Sequence, residues 1–246
     1  MNTTLLLVPG WCGNRDVFDD LAGHLAEHRR TLATDLRGHG DRAGETADFT
    51  TAEQVDDLVA MLDARGVERV VPVALSHAGW LAVELRERLG AERVPGVVVA
   101  DWMPLGTPPG FTDALAGLQD DAALEGVRAT LFGMWTAGVH TPAVHEYVAS
   151  MGRYGFSHWS RAGREIAKGF AAHGSPLAAF AALGDCPVLH LYAQPTDPAY
   201  LEAQLAAAQE HPWFRVRRLD AHSHFPMLEV PADMAAAIEE FTCSLN

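Results

Sequence analysis

Ser76, Asp101 or Asp197, and His224 have the types and the chain order from which a nucleophilic or proton-abstracting site could be built. Ser76 lies in Val73-Ala-Leu-Ser76-His-Ala78-Gly-Trp80, where an apolar run gives way to a helical pattern. A serine raised on a sharp strand-to-helix turn needs small residues two before and two after it, because the two backbones approach closely there. Ala74 and Ala78 meet that demand. Upstream, Val8-Pro-Gly10-Trp11 can turn the Trp11 N–H toward a developing oxyanion, and the His77 N–H beside Ser76 offers a second donor. His224 falls in Ala221-His-Ser-His224-Phe-Pro, after the last strand-like run. His222 is its rival. The two could also bind a metal at strand spacing, but no carboxylate or third histidine is evidently paired with them, so no metal site is expected. Asp101 immediately follows Val97–Ala100, and Asp197 follows Val188–Tyr192 in Gln194-Pro-Thr-Asp197-Pro. Position alone does not choose between them.

The elements that must hold these residues alternate. Leu5–Val8, Thr31–Thr34, Arg69–Val73, Val97–Ala100, Val188–Tyr192 and Phe214–Leu219 read as strands. Asp16–Glu27, Thr51–Arg65, Gly79–Leu89, Leu201–Gln209 and Ala232–Phe241 read as helices. This alternation predicts βαβ units and a parallel sheet. Thr51-Ala-Glu-Gln54 reads as a helix cap, with Gly66 as the stop. Residues 1–102 and 186–246 form the expected core. Residues 103–185 lack strand formers and hold nine of the twenty aromatics, which reads as a helical lid over the carboxyl ends of the strands. The plainer alternative is a helical layer with its own small core. Asp35-Leu-Arg37-Gly38-His39-Gly40 follows the second strand, and His39 there reads as structural. His24 and His28 read as solvated.

The 246 residues suit one α/β domain, and 48% apolar content permits a sizeable core. A net charge of −14 argues against nucleic-acid and anionic membrane partners and favours a neutral or weakly acidic small molecule. Three scattered cysteines suit a reducing cytoplasm. The amino-terminal apolar run is too short for a signal peptide, and no apolar stretch is long enough to span a bilayer.

Taken together, several motifs resemble the cofactor-independent 2,4-dioxygenases of 3-hydroxy-4(1H)-quinolones, enzymes of the α/β-hydrolase fold. These are Trp11-Cys12, Arg37-Gly-His39-Gly40, Ser76-His77-Ala-Gly79-Trp80, Asp101-Trp102, Gln194-Pro-Thr-Asp-Pro-Ala-Tyr200, His211-Pro-Trp-Phe214 and His224-Phe-Pro226. Trp135-Thr-Ala-Gly138 and Tyr154-Gly-Phe-Ser-His-Trp-Ser160-Arg-Ala-Gly163-Arg extend the match through the lid. The resemblance implies a six-stranded parallel sheet in the order 2-1-3-4-5-6, with helices on both faces, and no cofactor. It also implies that His224 is the general base and Asp101 its acid partner, which decides against Asp197. Ser76 becomes a substrate hydrogen-bonding residue, Trp11 and His77 the oxyanion positions, and Trp135 a cavity wall. Three features depart from one branch of the family. Gly13 and Leu75 stand where that branch has histidines, which bears on substrate identity. Its N-terminal hairpin has no counterpart here, leaving Thr31–Thr34 as an edge that a second copy of the chain could cover.

Three readings result. In the first, His224 deprotonates a bound 3-hydroxy-4(1H)-quinolone or related N-heteroaromatic, the anion reacts directly with O2, and the ring opens with release of carbon monoxide. The second is a serine esterase or amidase with Ser76 as covalent nucleophile. The third, a non-catalytic binding protein of the same fold, has no need of so complete a residue set.

Overall fold

The computed structural model describes residues 3–184 and 186–245. Within them the apolar runs become β1 (Thr4–Val8), β2 (Thr31–Ala33), β3 (Val70–Leu75), β4 (Val97–Ala100), β5 (Val188–Tyr192) and β6 (Phe214–Arg218). All pair in parallel, as the alternation predicts, and in the order that the resemblance implies, β2-β1-β3-β4-β5-β6. The strands read as unbroken apolar runs because both faces of the sheet are covered. Leu5, Leu7, Val71, Val73 and Val98 enter the core on one face, whereas Leu6, Val8, Val70, Val97 and Val99 enter the core on the other. β3 runs two residues past its expected end, since Ala74 and Leu75 still pair with Val99 and Ala100. The edge strand β6 carries Arg215, Arg217 and Arg218, charges that discourage further pairing.

The helices are α1 (Asp19–Ala26), α2 (Thr51–Ala64), α3 (Gly79–Arg93), α4 (Phe111–Gly117), α5 (Leu124–Trp135), α6 (Pro142–Met151), α7 (Phe156–His173), α8 (Pro176–Ala182), α9 (Pro198–Glu210) and α10 (Pro231–Cys243). α1 and α10 pack on one face of the sheet; α2 and α3 pack on the other. Five helices, α4–α8, occupy the span between β4 and β5, and none of the described residues there is a strand.

Two local readings need correction. The cap of α2 is Thr50, one residue earlier than expected. Its hydroxyl accepts the Glu53 N–H while Glu53 accepts the Thr50 N–H. Thr51 is otherwise engaged, donating its N–H to the buried carboxylate of Glu165 on α7. The expected helix over Asp16–Glu27 is a short 3-10 turn, Arg15–Phe18, followed by α1.

Candidate active site

β3 delivers Ser76 into the left-handed region, with φ +54°, before α3 begins. Ala74 and Ala78 on either side are fully buried, so the turn has no room for larger residues. A further steric demand was not read from the sequence. A Cβ on Gly79 would lie 2.2 Å from the Trp102 ring, so the first turn of α3 can meet the chain leaving β4 only at a glycine. Among the described residues, the non-glycine positions with left-handed φ are Cys12, Ser76 and Asp101. They follow β1, β3 and β4 at the same end of the sheet. Backbone strain is therefore concentrated at this rim.

Asp101 is fixed on three sides. Its N–H donates to the Leu191 carbonyl (2.8 Å), its Oδ2 accepts the Ala193 N–H (2.8 Å), and its Oδ1 lies 3.3 Å from His224 Nδ1. The Asp101 side chain is almost wholly buried and that of His224 largely so. Asp197 does something else: it is exposed and caps α9, accepting the Ala199 N–H at 2.9 Å. The structure thus brings Asp101, and not Asp197, to His224.

The His224 loop is organised by Glu229, which sequence reasoning passed over. Its carboxylate accepts N–H bonds from His222 and Ser223 and the Ser223 hydroxyl. His222 is left exposed at the cavity wall. His224 donates its backbone N–H to the Trp135 carbonyl (3.3 Å), and the two rings stack, with centroids 5.0 Å apart and planes within 11°. Among the described residues no cluster of three potential metal ligands occurs.

After β1, the Cys12 N–H donates to His39 Nε2 (3.1 Å), and His39 Nδ1 donates to the Arg37 carbonyl (2.7 Å). Burial pushes the His39 pKa down to about 4, so it is neutral and structural. His77 accepts the Trp102 indole N–H at Nδ1 (3.1 Å) and stacks on Phe111. Burial, with His224 nearby, pushes its pKa down to about 3. His24 and His28 are exposed.

These residues face a cavity of about 970 Å³. Trp11, Ser76, His77, Asp101 and His224 line its sheet side. Phe111, Leu115, Leu118, Leu131, Trp135, Tyr147, Met151 and Ile166 line the side formed by the inserted helices. The site can hold a flat, largely apolar molecule against one imidazole–carboxylate pair.

A family model described as the alpha/beta hydrolase family matches residues 5–237. The chain is 37% identical over 238 residues to the 2-heptyl-3-hydroxy-4-quinolone dioxygenase AqdC1 of Rhodococcus erythropolis, covering 96% of this chain and 85% of the relative. It is 35% identical over 240 residues to the 1H-3-hydroxy-4-oxoquinoline 2,4-dioxygenase of Pseudomonas putida, covering 97% and 90%. The chain belongs to the 3-hydroxy-4-quinolone 2,4-dioxygenase family. A solved AqdC variant in complex with its substrate superposes with a TM-score of 0.94 at 34% identity, covering 99% of this chain and 92% of that one.

In this chain of the dioxygenase family, the turn at Gly13 is closed to any larger residue. A Cβ on Gly13 would lie 2.2 Å from the Tyr147 hydroxyl. That hydroxyl accepts the Asn14 N–H (3.1 Å) and donates to the Asn14 carbonyl (3.2 Å), so a side chain from α6 pins the turn that carries Trp11. Leu75 is buried and lines the cavity. Tyr147 was not found from the sequence, because only the fold brings it to Gly13.

Proposed function

We propose that the protein is a ring-cleaving dioxygenase of a 3-hydroxy-4(1H)-quinolone carrying an apolar substituent at position 2. The observation that carries this reading is the His224–Asp101 contact opening onto a large apolar cavity, in a chain of this family. His224 takes the proton of the 3-hydroxyl, and Asp101 at Nδ1 orients the ring and offsets the imidazolium charge. The anion transfers electron density to O2. The resulting peroxide at C2 closes on the C4 carbonyl, and cleavage of the bicyclic peroxide expels C3 as carbon monoxide, leaving an N-acylanthranilate. Both atoms of O2 are thereby accounted for. The Trp11 and His77 N–H groups stabilise oxyanion character at the ring, and Ser76 hydrogen-bonds the substrate. Trp135 forms the cavity wall against the ring.

The volume supports a 2-alkyl chain. About 970 Å³ is near the top of the range of roughly 300–1,000 Å³ usual for small-molecule pockets, and Leu115, Leu118, Leu131, Met151 and Ile166 give it apolar walls. No helix among the described residues is long and apolar enough to cross a membrane. Three free cysteines, two of them buried, support residence in a reducing cytoplasm. The end of the sheet at β2 is where a second copy would pair.

The test is to supply purified protein with 2-heptyl-3-hydroxy-4(1H)-quinolone and O2, without added cofactor. The expected result is one O2 consumed and one carbon monoxide released per quinolone cleaved. Hydrolysis of simple esters with no oxygen uptake would point to the esterase reading instead.

A further inference from the structure

We infer that Gln194 is a positioning residue, whose side-chain amide ties the last turn of α5 to the loop carrying His224 and so sets the imidazole and the inserted helices together. Its Nε2 donates to the His222 carbonyl (2.6 Å) and to the Met134 carbonyl (3.2 Å). Both partners are backbone acceptors, so the amide must present its nitrogen to them, and its orientation follows from the geometry. Met134 precedes Trp135, whose carbonyl takes the His224 N–H and whose ring lies on the imidazole. Behind Gln194, the Ala193 N–H is held by Asp101 Oδ2, while Asp101 Oδ1 faces His224 Nδ1.

These contacts close a circuit: Asp101 to Ala193, along the chain to Gln194, across to His222, along the chain to His224, and back to Asp101. Two members of the circuit also grip α5: His224 through Trp135, and Gln194 through the Met134 carbonyl. A shift of α5 therefore moves the His222 carbonyl as well as the Trp135 ring, and the imidazole cannot keep its alignment independently. The Gln194 contacts are open to solvent at the cavity mouth, so water can satisfy both carbonyls when the amide is removed. Losing the amide thus changes global stability little and loosens alignment.

This inference rests on the proposed role of His224, and its test includes a measurement that does not require turnover. Two variants keep the length of the side chain: Gln194→Glu, which replaces the donor by an acceptor, and Gln194→Met, which removes polarity. With 2-heptyl-3-hydroxy-4(1H)-quinolone, kcat is expected to fall roughly ten- to a hundredfold in both. Affinity measured without oxygen and the melting temperature should stay near wild type. Without substrate, hydrogen exchange at the His224 amide and the last turn of α5 should quicken by about tenfold. Wild-type exchange and kcat in Gln194→Met would overturn the inference. So would a loss of kcat that tracks a fall in melting temperature. If the wild-type protein does not cleave the quinolone, the functional reading fails, while the exchange result still decides whether Gln194 couples α5 to the His224 loop.

Discussion

The hydroxyl of Tyr147 stands where a side chain at position 13 would begin, 2.2 Å from the Cβ that Gly13 lacks. One residue on the inserted α6 and one in the turn after β1 therefore share a single space. Gly13→Ala is expected to destabilise the protein by about 1–3 kcal/mol through overpacking. Tyr147→Phe removes the hydroxyl and its two bonds to Asn14, at about 1–2 kcal/mol. The double variant should cost clearly less than the sum, because removing the Tyr147 hydroxyl clears the space that the new methyl needs. Urea denaturation of the four proteins in the cycle measures this, and simple additivity would show that the space is not shared.

Proton abstraction and covalent catalysis make opposite demands on Ser76 and His224. For the dioxygenase, His224→Ala should lower kcat by roughly 10²–10⁴, the scale of a general base. Ser76→Ala should cost only about two- to twelvefold, from the loss of one hydrogen bond. Asp101→Asn should impair turnover, and the exposed helix cap Asp197→Asn should not. Oxygen uptake on one quinolone substrate compares all four. A Ser76→Ala variant as inactive as His224→Ala would support a covalent mechanism.

Trp135 supplies both a cavity wall and a face against His224. Trp135→Ala should weaken binding of 3-hydroxy-4(1H)-quinolone by about 1–3 kcal/mol, whereas Trp135→Phe retains much of the affinity. Titration under anaerobic conditions separates binding from turnover. Unchanged affinity in Trp135→Ala would reduce the residue to a packing role.

Three histidines held neutral by burial, His39, His77 and His190, make folding sensitive to mild acid. His190 accepts the Trp102 N–H at Nε2 and shares its Nδ1 proton with Gln204, and burial pushes its pKa down to about 4, as at His39. In the unfolded chain each binds a proton near pH 6.5. The stability they permit is thus complete above about pH 6.5 and is lost as pH falls toward 4, by about 2–3 kcal/mol for each. Unfolding free energy should decline steadily from pH 7 to pH 5. A flat profile there would contradict the neutral, buried assignment.

The six strands and the Ser76 turn were legible because they depend on local pattern: apolar runs between helical periods, and alanines flanking a serine. The choice between Asp101 and Asp197 was not, on spacing alone, because it turns on backbone direction. Asp101 takes φ +46° and presents its carboxylate to the loop after β6, and nothing in the residues around it encodes that angle. Thr50 displaced Thr51 as the cap for a similar reason. The competitor for Thr51 is Glu165, 114 positions away. The roles of Gln194, Glu229 and Tyr147 escaped notice because their partners are mostly backbone atoms, which leave no mark on residue type.

The left-handed backbone at Cys12, Ser76 and Asp101 has a consequence for anyone who selects this protein for robustness. Glycine adopts that conformation more cheaply, by about 1 kcal/mol at each position. At Ser76 drift toward glycine runs downhill for folding, whereas at Asp101 the gain is opposed by the loss of the buried Ala193 N–H's acceptor. At Ser76 and Asp101 such drift also deletes the side chains that the chemistry is proposed to use. A screen that rewards only thermal survival or expression is thus biased toward well-folded, inert descendants, and the bias acts at the rim of the cavity. Pairing such a screen with an oxygen-uptake assay removes it.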